Sequence, residues 1–112
     1  MAAIPVLNLQ KNIANTKTFI ACDVAGDTVL FNSDTSIEVA NGDASAHQVT
    51  ITAIKTTCSC DGSTLTVPNI VASIPAGESR TFILTSQYYD AVNNGAQIAY
   101  DDVTSMTIAA YV

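Results

Sequence analysis

Residues 70–84 read IVASIPAGESRTFIL, and how that stretch is parsed decides the fold of the chain. Two apolar, alternating segments flank Pro75-Ala76-Gly77-Glu78. Pro75 has no backbone N–H and a fixed φ, so a β-ladder stops there. Gly77 supplies the permissive φ that a tight corner needs. Beyond the corner, Phe82 and Leu84 fall on one face while Thr81, Ile83 and Thr85 fall on the other, a period of two. The stretch reads as strand, corner, strand, the grammar of a small β-sandwich.

The same alternation runs outward in both directions. Upstream, residues 35–40 (TSIEVA) place Ile37 and Val39 inward and Glu38 outward. Residues 47–54 (HQVTITAI) place Val49, Ile51 and Ala53 on one face. Asn41-Gly42-Asp43 between them is a strong turn signal, so these two strands are expected to pair as antiparallel neighbours. Earlier, residues 18–22 (TFIAC) and 28–31 (TVLF, with Val29 and Phe31 on one face) read as strands. Val24-Ala25-Gly26-Asp27 and Asn32-Ser33-Asp34 read as turns. Downstream, residues 55–63 (KTTCSCDGS) read as a loop, and Leu65 and Val67 precede Pro68. Residues 86–95 form a polar crossing closed by Asn93-Asn94-Gly95. Residues 96–100 and 105–112 are expected to form a final hairpin.

Composition agrees. The chain has 112 residues, of which 48% are apolar and only 12% charged, about half the usual ~25%. Thr, Val and Ile suit a pleated sheet because β-branching restricts χ1. Roughly seven to nine short strands, with no amphipathic helix of useful length, imply an all-β, single compact β-sandwich of Ig-like or jelly-roll topology. Residues 1–15 read as an extended N-terminal arm rather than part of the core, and residues 16–112 as the sandwich domain. In the arm, Pro5 favours extension, with Ile4 and Val6 on one face and Leu7 and Leu9 on the other. A short helical turn over residues 9–14 fits the spacing of Leu9 and Ile13. The alternatives are a frayed terminus and an arm docked on its own domain or on a neighbour, which would cover these five apolar side chains. Removing residues 1–15 is expected to leave the domain folded.

The charge pattern narrows the function classes. Net charge is −6, and the four cations, Lys11, Lys17, Lys55 and Arg80, are scattered. No basic patch can neutralise phosphates, so no nucleic-acid partner is expected. No stretch reaches the ~20 apolar residues of a membrane helix, and no membrane partner is expected. The first ten residues lack the basic start of an export signal, which implies use from the cytosol. An odd count of three cysteines does not make a closed disulfide framework.

Four features have the residue types of chemical sites. Cys58 and Cys60, with Cys22 and His47, could supply the four ligands of a zinc site. The Cys-x-Cys spacing matches no standard knuckle, and two small apolar groups on one strand face explain it better. His47 stands near Asp43 and Ser45, but residues at i, i+2 and i+4 of a loop tip define no triad, so it reads as a surface histidine at a strand start. Asp101-Asp102 and the Asp61-Gly62 turn lack the spacing of a calcium loop. Tyr88-Tyr89 in the polar crossing offers amphipathic contact area, either to a partner or to the core beneath. No catalytic residue, metal or cofactor is expected. The partner contacts expected are Ile4, Pro5, Val6, Leu7, Leu9, Ile13, Tyr88 and Tyr89.

Three longer stretches carry a resemblance: GDTVLFNSDTSIEVANGDASAHQVTI (residues 26–51), SIPAGESRTFIL (73–84), and YYDAVNNGAQIAY (88–100) followed by MTIAAYV (106–112). Together they resemble small tailed-bacteriophage virion proteins, of the head decoration or cement type. That resemblance implies a non-enzymatic structural role, with copies, often trimeric, clamping neighbouring major capsid subunits on the outside of the head. It also implies a virion location after synthesis in the host cytoplasm, and an N-terminal arm able to reach a neighbouring chain by strand addition. The alternatives are a tail, neck or fibre-associated virion module, and a host-surface carbohydrate adhesion module. The last would want an exposed aromatic platform, and the chain has no Trp.

Overall fold

The computed structural model describes residues 2–30, 34–53, 57–60, 63–66, 68–90, 92 and 95–112. It is a two-layer, all-β sandwich, as the alternation implies. The first layer holds β1 (Ala2–Ile4), β4 (Asp27–Leu30), β11 (Gly95–Tyr100), β6 (His47–Ile51) and β9 (Ile70–Ile74), in the order β1-β4-β11-β6-β9. The second holds β10 (Ser79–Leu84), β5 (Thr35–Asn41) and β12 (Met106–Tyr111). The outer edge of β12 is shared by β2 (Val6–Leu7) and β3 (Ile20–Ala21). A separate antiparallel ribbon pairs β7 (Thr57–Cys60) with β8 (Ser63–Thr66), where a loop was expected. Between β10 and β11 the crossing opens with a single 3₁₀ turn, Ser86–Tyr88.

The inward faces are those the alternation marks. Ile37, Val39, Val49, Ile51, Ile74, Leu84, Ile98 and Ile108 are buried in one core. Phe82 packs against it half-buried, while Ile83 on the opposite face is 70% exposed.

Connectivity corrects the expected pairing. β5 and β6 are not antiparallel neighbours: β5 pairs with β10 and β12, and β6 with β11 and β9. Likewise β11 and β12 form no hairpin, because they lie in different layers. Each connection is an arch that carries the chain across the core. A hairpin and an arch bury the same alternate residues, so the in-out pattern cannot distinguish them. Four arches gather at one end of the sandwich: residues 22–26, 41–46, 75–78 and 101–105.

The N-terminal segment is also built into the body. β1 runs parallel to β4 in the first layer. Beyond Pro5, β2 runs parallel to β12 in the second. Pro5 turns the chain between layers without requiring an N–H from it. Ile4 is 1% exposed and belongs to the core. The arm therefore docks on its own domain and closes one side of the sandwich. Residues 31–33, 61–62 and 93–94, expected in strand ends or turns, lie outside the described residues, as does residue 54.

Candidate interaction surface

The arm leaves β12 after Leu7 and follows the end of the chain. Val112 N–H donates to Leu7 O at 2.9 Å, and Leu9 N–H donates to Val112 O at 2.8 Å. Residues 10–15 then form a loop stitched by one side chain, in place of the helical turn that the Leu9–Ile13 spacing suggested. Gln10 N–H donates to Asn15 Oδ1 at 2.9 Å, and Asn15 Nδ2 donates to Gln10 O and Ile13 O. Asn12 takes φ +63°, a left-handed conformation that Asn tolerates better than most residues. The loop holds Ile13 outward, 59% exposed.

Next the chain returns along the outer face of the second layer. Lys17 Nζ lies 2.7 Å from Glu38 Oε1 and 4.8 Å from the centre of the Tyr111 ring. The Glu38 hydrogen bond, chiefly, raises the Lys17 pKa. Phe19 is left exposed, as are Leu7, Leu9 and Val112. Between arm and return strand runs an apolar groove of about 220 Å³, lined by Pro5, Val6, Leu7, Thr18, Ile20 and Ala110. Of the expected contact residues, Pro5, Val6 and Leu7 line this groove, while Leu9 and Ile13 are exposed farther along the arm. Phe19 is exposed on the return segment. Ile4 does neither, because its side chain is inside. Sequence reasoning passed over Phe19 because an aromatic residue in a strand segment reads as core.

Tyr88 and Tyr89 sit elsewhere. Both are half-buried against the core, and the Tyr88 hydroxyl donates to Pro68 O at 3.0 Å. They fasten the crossing over the sandwich.

No family model, curated protein or solved structure matches this chain. Two polar clusters stand at the arch end.

His47 is buried rather than on the surface. Its Nε2 lies 2.9 Å from Asp43 Oδ2, and its Nδ1 lies 3.8 Å from Asp101 Oδ1. The ring is held between two arches by carboxylates from each, which suits a clamp. Ser45 contributes its backbone carbonyl, to Asn41 Nδ2 at 2.8 Å.

The second cluster was not singled out in the sequence. Asp27, expected to end a turn, starts β4 and is fully buried. Its Oδ2 accepts from the Tyr100 hydroxyl at 2.7 Å and from Asp23 N–H at 3.3 Å; its Oδ1 has no protein partner. Burial, chiefly, pushes the neighbouring Cys22 thiol up to about 11 and raises the Tyr100 hydroxyl as well. Burial thus favours the neutral Cys22 thiol. Among the described residues, no three His, Cys, Asp or Glu side chains gather as a metal site. The side chains of Cys58 and Cys60 lie outside the described set.

Proposed function

We propose that this protein is a structural component of a virion, a decoration protein that binds the outside of an assembled phage head and holds neighbouring capsid subunits together. One observation carries the reading beyond the sequence resemblance. Leu7, Leu9, Ile13 and Phe19 are exposed within one segment of the chain, which strand pairing anchors to both layers and along which runs an apolar groove that Leu7 helps to line. Clustered exposed apolar side chains mark contact surfaces, whereas single ones need no explanation. The mechanism is mass action: a ligand that binds only the assembled shell stabilises that state. Tyr88 and Tyr89 are occupied in the domain itself, which takes weight from the carbohydrate-adhesion alternative.

The test is co-sedimentation with assembled and unassembled capsid subunits. Saturable binding to shells alone, with a rise in shell melting temperature, is expected. A folded Leu9→Ser/Ile13→Ser/Phe19→Ser variant is expected to bind at least about tenfold more weakly, since ~1.4 kcal/mol is a small part of three lost apolar contacts. Unchanged binding by that variant would remove this surface from the proposal. Absence of binding to any shell would turn the search to tail and neck subunits.

A further inference from the structure

Sheet edges must be paired, covered or blunted, because a row of free N–H and C=O groups recruits another strand. In this molecule β1, β2 and β3 are two or three residues long, which blunts that side. β9 has five residues between Pro68 and Pro75. β10 is different. It has six residues, and among the described residues only β5 pairs with it.

The hydrogen-bond phase of β10 follows from its neighbours. Asn41 N–H donates to Glu78 O at 2.8 Å, and the register pairs Ser79 with Ala40. Even-numbered residues of β10 therefore bond to β5, and odd-numbered ones aim their N–H and C=O away from the sheet. The other flank of β5 agrees, since Gly42 N–H donates to Ser105 O in the opposite phase. At Ser79 the outward carbonyl already accepts from its neighbour's guanidinium, Arg80 Nη1, at 2.9 Å. Among the described residues nothing bonds the outward groups of Thr81 and Ile83, which face an outside strand. Their side chains are exposed, Ile83 by 70%, and no charge or proline lies between residues 81 and 84.

We propose that β10 is a self-association edge, joining the second layers of two copies into one continuous antiparallel sheet about a twofold axis at Phe82. The occupant is a second copy because an antiparallel pair of identical strands is self-complementary. With the axis at Phe82, Thr81 of one copy faces Ile83 of the other twice over, forming four backbone hydrogen bonds. The two half-buried Phe82 rings then meet in the close, non-hydrogen-bonded position, where cross-strand aromatic pairs are favourable. Arg80 lies opposite Leu84 of the partner, so like charges do not face each other. A twofold edge yields a dimer in place of the trimer that the resemblance implies. The contact leaves the Leu9, Ile13 and Phe19 surface free, so it stands or falls separately from shell binding.

The experiment is sedimentation equilibrium of the full chain alone, combined with amide hydrogen exchange at low and high protein concentration. A monomer–dimer equilibrium is expected, with Thr81 and Ile83 amides slowing in exchange as the dimer fills. Thr81→Pro removes an N–H that the monomer leaves free, so it is expected to fold and to dimerise at least about tenfold more weakly. A wild-type chain that stays monomeric to about millimolar concentration, or dimerises with Thr81 and Ile83 still exchanging fast, overturns the proposal. A folded Thr81→Pro variant with undiminished dimerisation overturns it too. Should that variant fail to fold, the wild-type exchange data decide alone.

Discussion

Asp27 and Tyr100 show what one residue can demand of its surroundings. A carboxyl with no exposed surface holds a single side-chain donor, the Tyr100 hydroxyl at 2.7 Å. Removing one partner of a buried polar pair leaves the other with its full desolvation cost, ~1–3 kcal/mol or more for a charged group. Tyr100→Phe is therefore expected to lower stability by about that amount in denaturant titration, while Asp27→Asn with Tyr100→Phe is expected to cost less than the two separate losses summed. Additive losses would mean that the two groups do not act as a pair. The same corner sets a pH dependence. The Cys22 thiol ionises near its ordinary value of 9.0 when unfolded, but burial in the folded state raises it to about 11. The unfolded state thus loses its proton first, and this contribution to stability, complete below pH 9, falls away as pH rises to about 11. Tyr100, also raised, acts in the same sense above pH 10. Melting temperatures measured from pH 8 to 11 should fall for the wild type and fall less steeply in Cys22→Ala. Parallel curves would show that the thiol contributes nothing to the slope.

At the level of elements, the N-terminal segment corrects the expectation drawn from composition. Its apolar residues read as an arm because Pro5 breaks the run and polar residues follow, and terminal segments are commonly loose. The structure divides them by position: Ile4 is in the core, while Ile13 is 59% exposed on the Asn15-stitched loop. Deleting residues 1–15 would remove two strands and leave bare the flank of β4 and the end of β12 at Ala110 and Tyr111. That deletion is expected to unfold or severely destabilise the domain, so it cannot serve as a clean test of binding. A paired comparison is cleaner. Ile4→Ala creates a core cavity, with an expected loss of ~2–4 kcal/mol, whereas Ile13→Ala should stay within about 0.5 kcal/mol of wild type. Equal effects from the two substitutions would contradict the docked position of the first strand. The strands themselves were legible because β-branched residues alternate over five to seven positions, as in β5 and β6. Which layer each strand joins was not, since turn composition such as Asn41-Gly42 serves an arch as well as a hairpin.

For the whole molecule, the consequence of arches is that both layers depend on one end. Asn41 is 2% exposed there and serves three of the four connections. Its Nδ2 donates to Ser45 O at 2.8 Å within its own arch and to Ile74 O at 2.9 Å at the end of β9. Its backbone N–H reaches Glu78 O across the next arch, and its register partner is Met106, where the last arch lands on β12. His47 adds the tie from Asp43 to Asp101. From sequence, Asn41 is a turn residue and His47 a surface one; that they form a keystone depends on the layers crossing, which local pattern does not encode. Asn41→Leu retains the branched shape but deprives two carbonyls of their donor, one of them at a buried site, so an expected loss of ~2–4 kcal/mol follows from two unmet acceptors. Because the bond to Ile74 O joins the two layers, the loss should appear as one transition at lower denaturant, with far-UV circular dichroism and tyrosine fluorescence still superimposed. Two separated transitions would mean that the layers hold together through the apolar core alone. The arch end would then be a set of independent turns and Asn41 an ordinary cap on one of them.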